Sequence, residues 1–97
     1  MADYDEALRL NPWHAGAQKN RGVVFGMMGE FAKARDCFDQ VLRIYPKDAE
    51  AYYNRGVAYA MMGDYRQSVA DFQTALALKP DHPDAKARLD VIAPLAA

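Results

Sequence analysis

AEAYYNRGVAYAMMGDYRQSVADFQTALALKP, residues 49–80, reads as two amphipathic helices folded against each other across a tight turn. In its first half Tyr52, Gly56, Tyr59 and Met62 recur at three- and four-residue steps, which places them on one helical face. In its second half Tyr65, Ser68, Phe72, Ala75 and Leu76 do the same. Between the halves, Gly63 supplies a helix stop that tolerates positive φ, and the Asp64 carboxylate can cap the next helix by accepting a free backbone N–H. Pro80 ends the unit, because proline cannot continue a helix.

The unit recurs thirty-four residues earlier. Gly56 maps on Gly22, Tyr59 on Phe25, Gly63 on Gly29, Phe72 on Phe38 and Pro80 on Pro46. Asn54-Arg55-Gly56-Val57 repeats Asn20-Arg21-Gly22-Val23, and Met61-Met62-Gly63 repeats Met27-Met28-Gly29. A fixed period shared by large, small and turn residues is the mark of a stacked helical repeat. The expected fold is therefore all-α: a superhelical solenoid of two complete helix-turn-helix repeats, with an N-terminal half-repeat and a C-terminal capping helix.

The positions Tyr52, Gly56, Tyr59, Ser68, Phe72, Ala75 and Pro80 resemble the tetratricopeptide repeat. The earlier copy reads Gln18, Gly22, Phe25, Ala34, Phe38, Val41 and Pro46. Tyr52 and Gln18 stand for the family's tryptophan, Arg55 and Arg21 for its leucine, and Ser68 for its alanine. The resemblance covers nearly the whole chain. It implies a non-catalytic protein-interaction module holding a peptide in a concave groove lined by first helices. In this sequence those positions are Gly16, Lys19, Asn20, Val23 and Met27, then Glu50, Tyr53, Asn54, Val57 and Met61, then Asp84, Arg88 and Val91. Flexible methionines, a tyrosine with a polar tip, two amides and charges of both signs suit an extended or helical peptide. Met27 and Met61 as mere gap-fillers between repeats is the competing reading.

One subgroup of the family clamps a peptide's terminal carboxylate. Lys19, Asn54 and Arg88 match that clamp, whereas Val23 stands for an asparagine and Asp84 for a lysine. Asp84 is expected to pair with Arg88 one turn on and to repel an incoming carboxylate. The resemblance therefore argues against that clamp here.

The chain has 97 residues, room for one domain, and 52% of them are hydrophobic, enough for a continuous core between stacked helices. A formal net charge of −1 provides no global field for nucleic acid or an anionic membrane. No apolar run approaches the roughly 20 residues a membrane helix needs. The first six residues are acidic where a signal peptide is basic, and the single cysteine, Cys37, fits a reducing compartment. A cytoplasmic location is the expectation.

Taken in order, the segments are a half-repeat over 2–12, repeats over 13–46 and 47–80, and a capping helix and tail over 81–97. Complete repeats are expected as helices 14–28 with 31–44, and 48–62 with 65–78. Gly22 and Gly56 should lie opposite Ala34 and Ser68, with the Ser68 hydroxyl bonded back to a carbonyl one turn away. The last helix should run to about Ala93 and stop at Pro94, with Ala85, Leu89 and Ile92 inward and Lys86 paired with Asp90 outward. Pro12 shares the register of Pro46 and Pro80, so the half-repeat resembles a second helix lacking its first. Its face, with Tyr4 and Leu8, is expected to drive homo-oligomerisation, since burying apolar surface contributes roughly 25 cal/mol per Å². A self-assembling scaffold is accordingly the alternative function.

No cofactor or metal site is expected. His14 and His82 share a register two repeats apart, which puts them on the order of 20 Å from each other and suits loop or N-cap roles. Cys37 lacks a nearby base and reads as a small buried residue. Arg55 and Asp71 are the best candidates for an arginine–aspartate pair across packed helices.

Overall fold

A computed structural model describes residues 15–96, as five helices: α1 (Ala15–Met27), α2 (Phe31–Ile44), α3 (Ala49–Met61), α4 (Tyr65–Leu78) and α5 (Pro83–Ala96). Each packs on its successor, and α1 also touches α3, so α1–α2 and α3–α4 are two stacked hairpins with α5 laid against α4. The expected half-repeat, with Tyr4 and Leu8, lies outside the described residues, as does His14.

The hairpin turns have the geometry the Gly residues suggest. Gly29 and Gly63 both take φ of 80°, a left-handed backbone that side chains rarely adopt. The amide of Glu30 then donates to Phe25 O at 2.8 Å, and that of Asp64 to Tyr59 O at 2.9 Å. These bonds reach back five residues and satisfy carbonyls that the helix end leaves open. The start of α2, at Glu30, has no side-chain cap, whereas the starts of α3, α4 and α5 are capped by side chains. Asp48 accepts from Ala51 N at 3.1 Å, Asp64 from Gln67 N at 3.4 Å, and His82 Nδ1 from Ala85 N at 3.1 Å.

The core is a column of aromatic rings seated against small residues. Phe38 and Phe72 are almost fully buried, among Ala34, Val41, Ala51, Ala58, Ala75 and Ala85. The glycines face those rings, whose atoms are the nearest to them. A Cβ on Gly22 would sit 2.8 Å from Phe38 Cζ and 3.1 Å from Cys37 Cβ. One on Gly56 would sit 2.9 Å from Phe72 Cε1 and 3.2 Å from Asp71 Cβ. The missing side chain is thus the seat of the phenylalanine on the opposing helix.

Three expectations are corrected. Ser68 is fully buried, but its Oγ makes no hydrogen bond, so its polarity is not satisfied by the carbonyl one turn back. Helix α5 continues through Pro94 to Ala96. The lost amide bond costs little there because Asp90 is exposed and its carbonyl can be hydrated. Lys86 and Asp90 are both exposed and form no ion pair, consistent with how little such pairs gain in water. Ala85 is buried and Leu89 and Ile92 are half-buried, as an inward face requires.

Arg55 crosses the stack. Its Nε and Nη2 donate to Asp71 Oδ2 and Oδ1 at 2.9 and 2.7 Å, the expected pair, and its Nη1 donates to Asp39 Oδ1 at 2.9 Å. One guanidinium on α3 therefore ties α4 of its own repeat to α2 of the preceding one. Its planar fork lies near the Tyr52 and Tyr59 rings, at 5.5 and 5.9 Å. The hydrogen bonds that Arg55 donates to Asp71 raise its guanidinium above its ordinary value. Burial lifts the Asp71 carboxyl above its usual range, with Arg55 opposing the rise. Tyr59 is likewise raised, chiefly by burial.

Candidate functional site

The first helices carry an exposed row that the packing does not consume. Met27 is 82% exposed and Met61 58%, so neither fills a gap between repeats. Asn20 and Val23 are exposed beside Met27 on α1, and Asn54 and Val57 are half-buried beside Met61 on α3. Gly16, Glu50, Asp84, Arg88 and Val91 are exposed as well.

Where α1, α2 and α3 meet, four of the row residues border an open cavity of about 230 Å³. Val23, Met27, Asn54 and Val57 line it, joined by Gly26 and Phe31, which the pattern of first-helix positions does not single out. Its floor includes Phe38 and Ala58 of the core, so it is a dent in the hydrophobic stack rather than a separate chamber. Asn54 is the only polar side chain among the described lining residues.

The two cations of the row make contacts within the chain. Lys19 Nζ lies 2.6 Å from Asp48 Oδ2, the same carboxylate that caps α3 through its other oxygen. Arg88 does not pair with Asp84 as the sequence suggests. Its Nε donates to Tyr53 Oη at 2.7 Å, and its guanidinium lies 5.9 Å from the centre of that ring. The phenol competes well because it is fixed by its ring, which packs tilted against Phe72 at 5.7 Å and His82 at 4.8 Å.

His82 was expected in a loop or N-cap role and is a buried cap, 5% exposed. Its Nδ1 accepts from Ala85 N, which assigns the proton to Nε2. Glu50 Oε1 approaches Nε2 to 3.0 Å, but obliquely, an electrostatic contact rather than an aligned hydrogen bond. Glu50, Tyr53, His82 and Arg88 thus form one cluster that joins α3 to α5. Cys37 is buried at the α1–α2 contact, against Gly22. Among the described residues no group of three or more His, Cys, Asp or Glu side chains could hold a metal ion. No described helix is long and apolar enough to cross a membrane.

Comparison with known proteins gives a consistent answer. A family model described as tetratricopeptide repeat matches residues 29–88. The chain is similar to the TPR domain of OM64 from Arabidopsis, with 31% identity and a TM-score of 0.83, covering 92% of this chain and 74% of that one. It shares the fold of the first TPR of Spaghetti (RPAP3), solved bound to an HSP90 peptide SRMEEVD. There the identity is 22% and the TM-score 0.87, over 97% of this chain and 75% of that one. It also shares the fold of the second TPR domain of human RPAP3, in complex with an HSP70 peptide SGPTIEEVD. That match has 22% identity and a TM-score of 0.85, over 93% of this chain and 75% of that one. No curated protein sequence matches the chain.

Proposed function

Because the chain belongs to the tetratricopeptide repeat family, we propose that it is a non-catalytic protein-interaction module that binds a peptide segment along its first-helix row. The observation that carries this reading is the exposed row itself. Val23, Met27 and Met61 keep apolar surface in water while Phe38 and Phe72 hold the stack together elsewhere. Large exposed apolar patches mark interaction sites, and methionines adapt to varied partner shapes. Two structural neighbours in complex with peptides support the same class of function.

The test is capture from a peptide library, followed by Glu50→Gln, Tyr53→Phe, Asn54→Ala and Met61→Ala on the best binder. Circular dichroism checks that each variant remains folded. An anchor residue truncated in this way weakens binding by about 1–2 kcal/mol, roughly 5- to 30-fold. A binder indifferent to all four changes refutes the groove assignment.

A further inference from the structure

The glycines of the first helices differ in what they serve, and Gly16, at the start of α1, has open space around it. A side chain at Gly22 or Gly56 would collide with a phenylalanine ring, at 2.8 and 2.9 Å. A Cβ at Gly26 would meet nothing within 4 Å. Its backbone is not in the left-handed region either, so no turn requires it. Its counterpart thirty-four residues on is Ala60, which shows that this helical position accepts a side chain. Nothing among the described residues accounts for Gly26, yet it lines the cavity between the repeats. A glycine that packing does not need, facing an open cavity, suits close approach by a ligand.

The lining also restricts what could enter. Among the described residues it carries no charged side chain, and Lys19, on the same helix as Val23 and Gly26, is paired with Asp48. A carboxylate drawn in would lose water and gain no cation. An uncharged side chain would displace water from Val23, Phe31 and Val57 instead. The Asn54 amide offers one donor group and one acceptor to a peptide backbone. As a scale, a dry cavity of about 150 Å³ takes benzene, so about 230 Å³ accommodates a leucine or phenylalanine side chain.

Resting on the groove reading above, we infer that the occupant is an internal, uncharged peptide segment. One leucine- or phenylalanine-sized side chain inserts over Gly26, and Asn54 holds the adjoining backbone. The charged end of a chain is not what this site selects.

The test is NMR titration of the full chain with N-acetyl-leucinamide and N-acetyl-phenylalaninamide. The heptapeptide SRMEEVD, with free or amidated C-terminus, is the contrasting probe. Saturable shifts at Val23, Gly26 and Val57 with the two amides are expected. So is a loss of at least tenfold in affinity in Gly26→Leu, which fills the cavity and should melt no lower than wild type. Val23→Asp, at an exposed rim position, should weaken the amides similarly without relying on the first variant. Amide binding that survives both substitutions overturns the anchor and leaves the groove reading intact. Shifts confined to α2 and α4 overturn both readings. An SRMEEVD peptide that binds only with its carboxylate free overturns the uncharged class, and so does the absence of any shift with either amide.

Discussion

Replacing Arg55 by methionine should cost the fold more than any other single change of a charged residue among those described. The substitution keeps much of the aliphatic stem and removes three charged hydrogen bonds, two to Asp71 and one to Asp39. What it leaves behind matters more. The Asp71 side chain is 5% exposed, while Arg55 is 21% and Asp39 34% exposed. A buried carboxylate without its cation is strongly unfavourable, and breaking such a pair costs roughly 3–5 kcal/mol. Because the guanidinium itself is partly wet, the expected loss is near the lower end, about 3 kcal/mol.

The partners should behave unequally. Asp71→Asn leaves Arg55 with Asp39 and access to water, so about 1–2 kcal/mol is expected. Asp39→Asn, at a more exposed end, should cost less than about 1 kcal/mol. Urea unfolding followed by circular dichroism measures all three, and the double variant Arg55→Met with Asp71→Leu should be more stable than Arg55→Met alone. Acid separates the causes further. Burial already holds the Asp71 carboxyl above its ordinary range in the native protein, against the opposing pull of Arg55. Without Arg55 that rise grows, so the native state binds a proton that the unfolded state releases. Stability of Arg55→Met then falls as pH rises through the window from the ordinary carboxylate range up to the raised native value. Its deficit against wild type should accordingly narrow on acidification. Equal losses for Arg55→Met and Asp71→Asn, or an additive double variant, would refute the reasoning.

Ser68→Ala should stabilise the protein by about 1 kcal/mol, because it removes a fully buried hydroxyl that has no hydrogen-bond partner; a melting temperature that drops shows that the hydroxyl is satisfied in solution. Gly56→Ala should destabilise by about 1–3 kcal/mol despite alanine's better helix propensity, since its Cβ would press on the Phe72 ring at 2.9 Å. Gly22→Ala should do the same through Phe38, and neutral outcomes in denaturant titrations would show that the rings yield.

The stack was legible because one pattern is written twice. Gly29 and Gly63 marked both turns, Phe38 and Phe72 both core rings, and Asp71 opposite Arg55 needed only two helices placed by that register. Departures from the register were where the reading failed or fell silent. Asp39 has Gln73 as its counterpart, so comparing the copies could not reveal the third arm of the Arg55 network. Arg88 was assigned to Asp84 by helical spacing alone. A phenol held from another element by Phe72 and His82 took it instead, and no local rule contains that information. The cavity was hidden for a related reason. Val23, Met27, Asn54 and Val57 were named as separate row positions, but Gly26 and Phe31 join them only when α1, α2 and α3 are assembled.

That assembly also implies that stability is uneven along the stack. In a repeat array each helix pair is held by its neighbours, so local opening follows the number of packed faces. Helix α3 lies between α2 and α4 and touches α1, whereas α5 packs on α4. Only Ala85 of α5 is buried, Val91 and Leu95 are exposed, and Pro94 removes one bond from its last turn. Besides the packing of Ala85, Leu89 and Ile92, what fastens α5 is polar: the His82 cap and the bond from Arg88 to Tyr53. Native-state hydrogen exchange should therefore find α5 opening at a lower free energy than α3. His82→Ala should lower it by about 1 kcal/mol, the usual worth of an N-cap, with much smaller change in α1 and α2. Since Arg88 sits at the α5 end of the exposed row, such opening would also remove one end of the proposed groove. Amides of α5 and α3 that exchange with the same free energy in both proteins would show that the stack unfolds as a single unit.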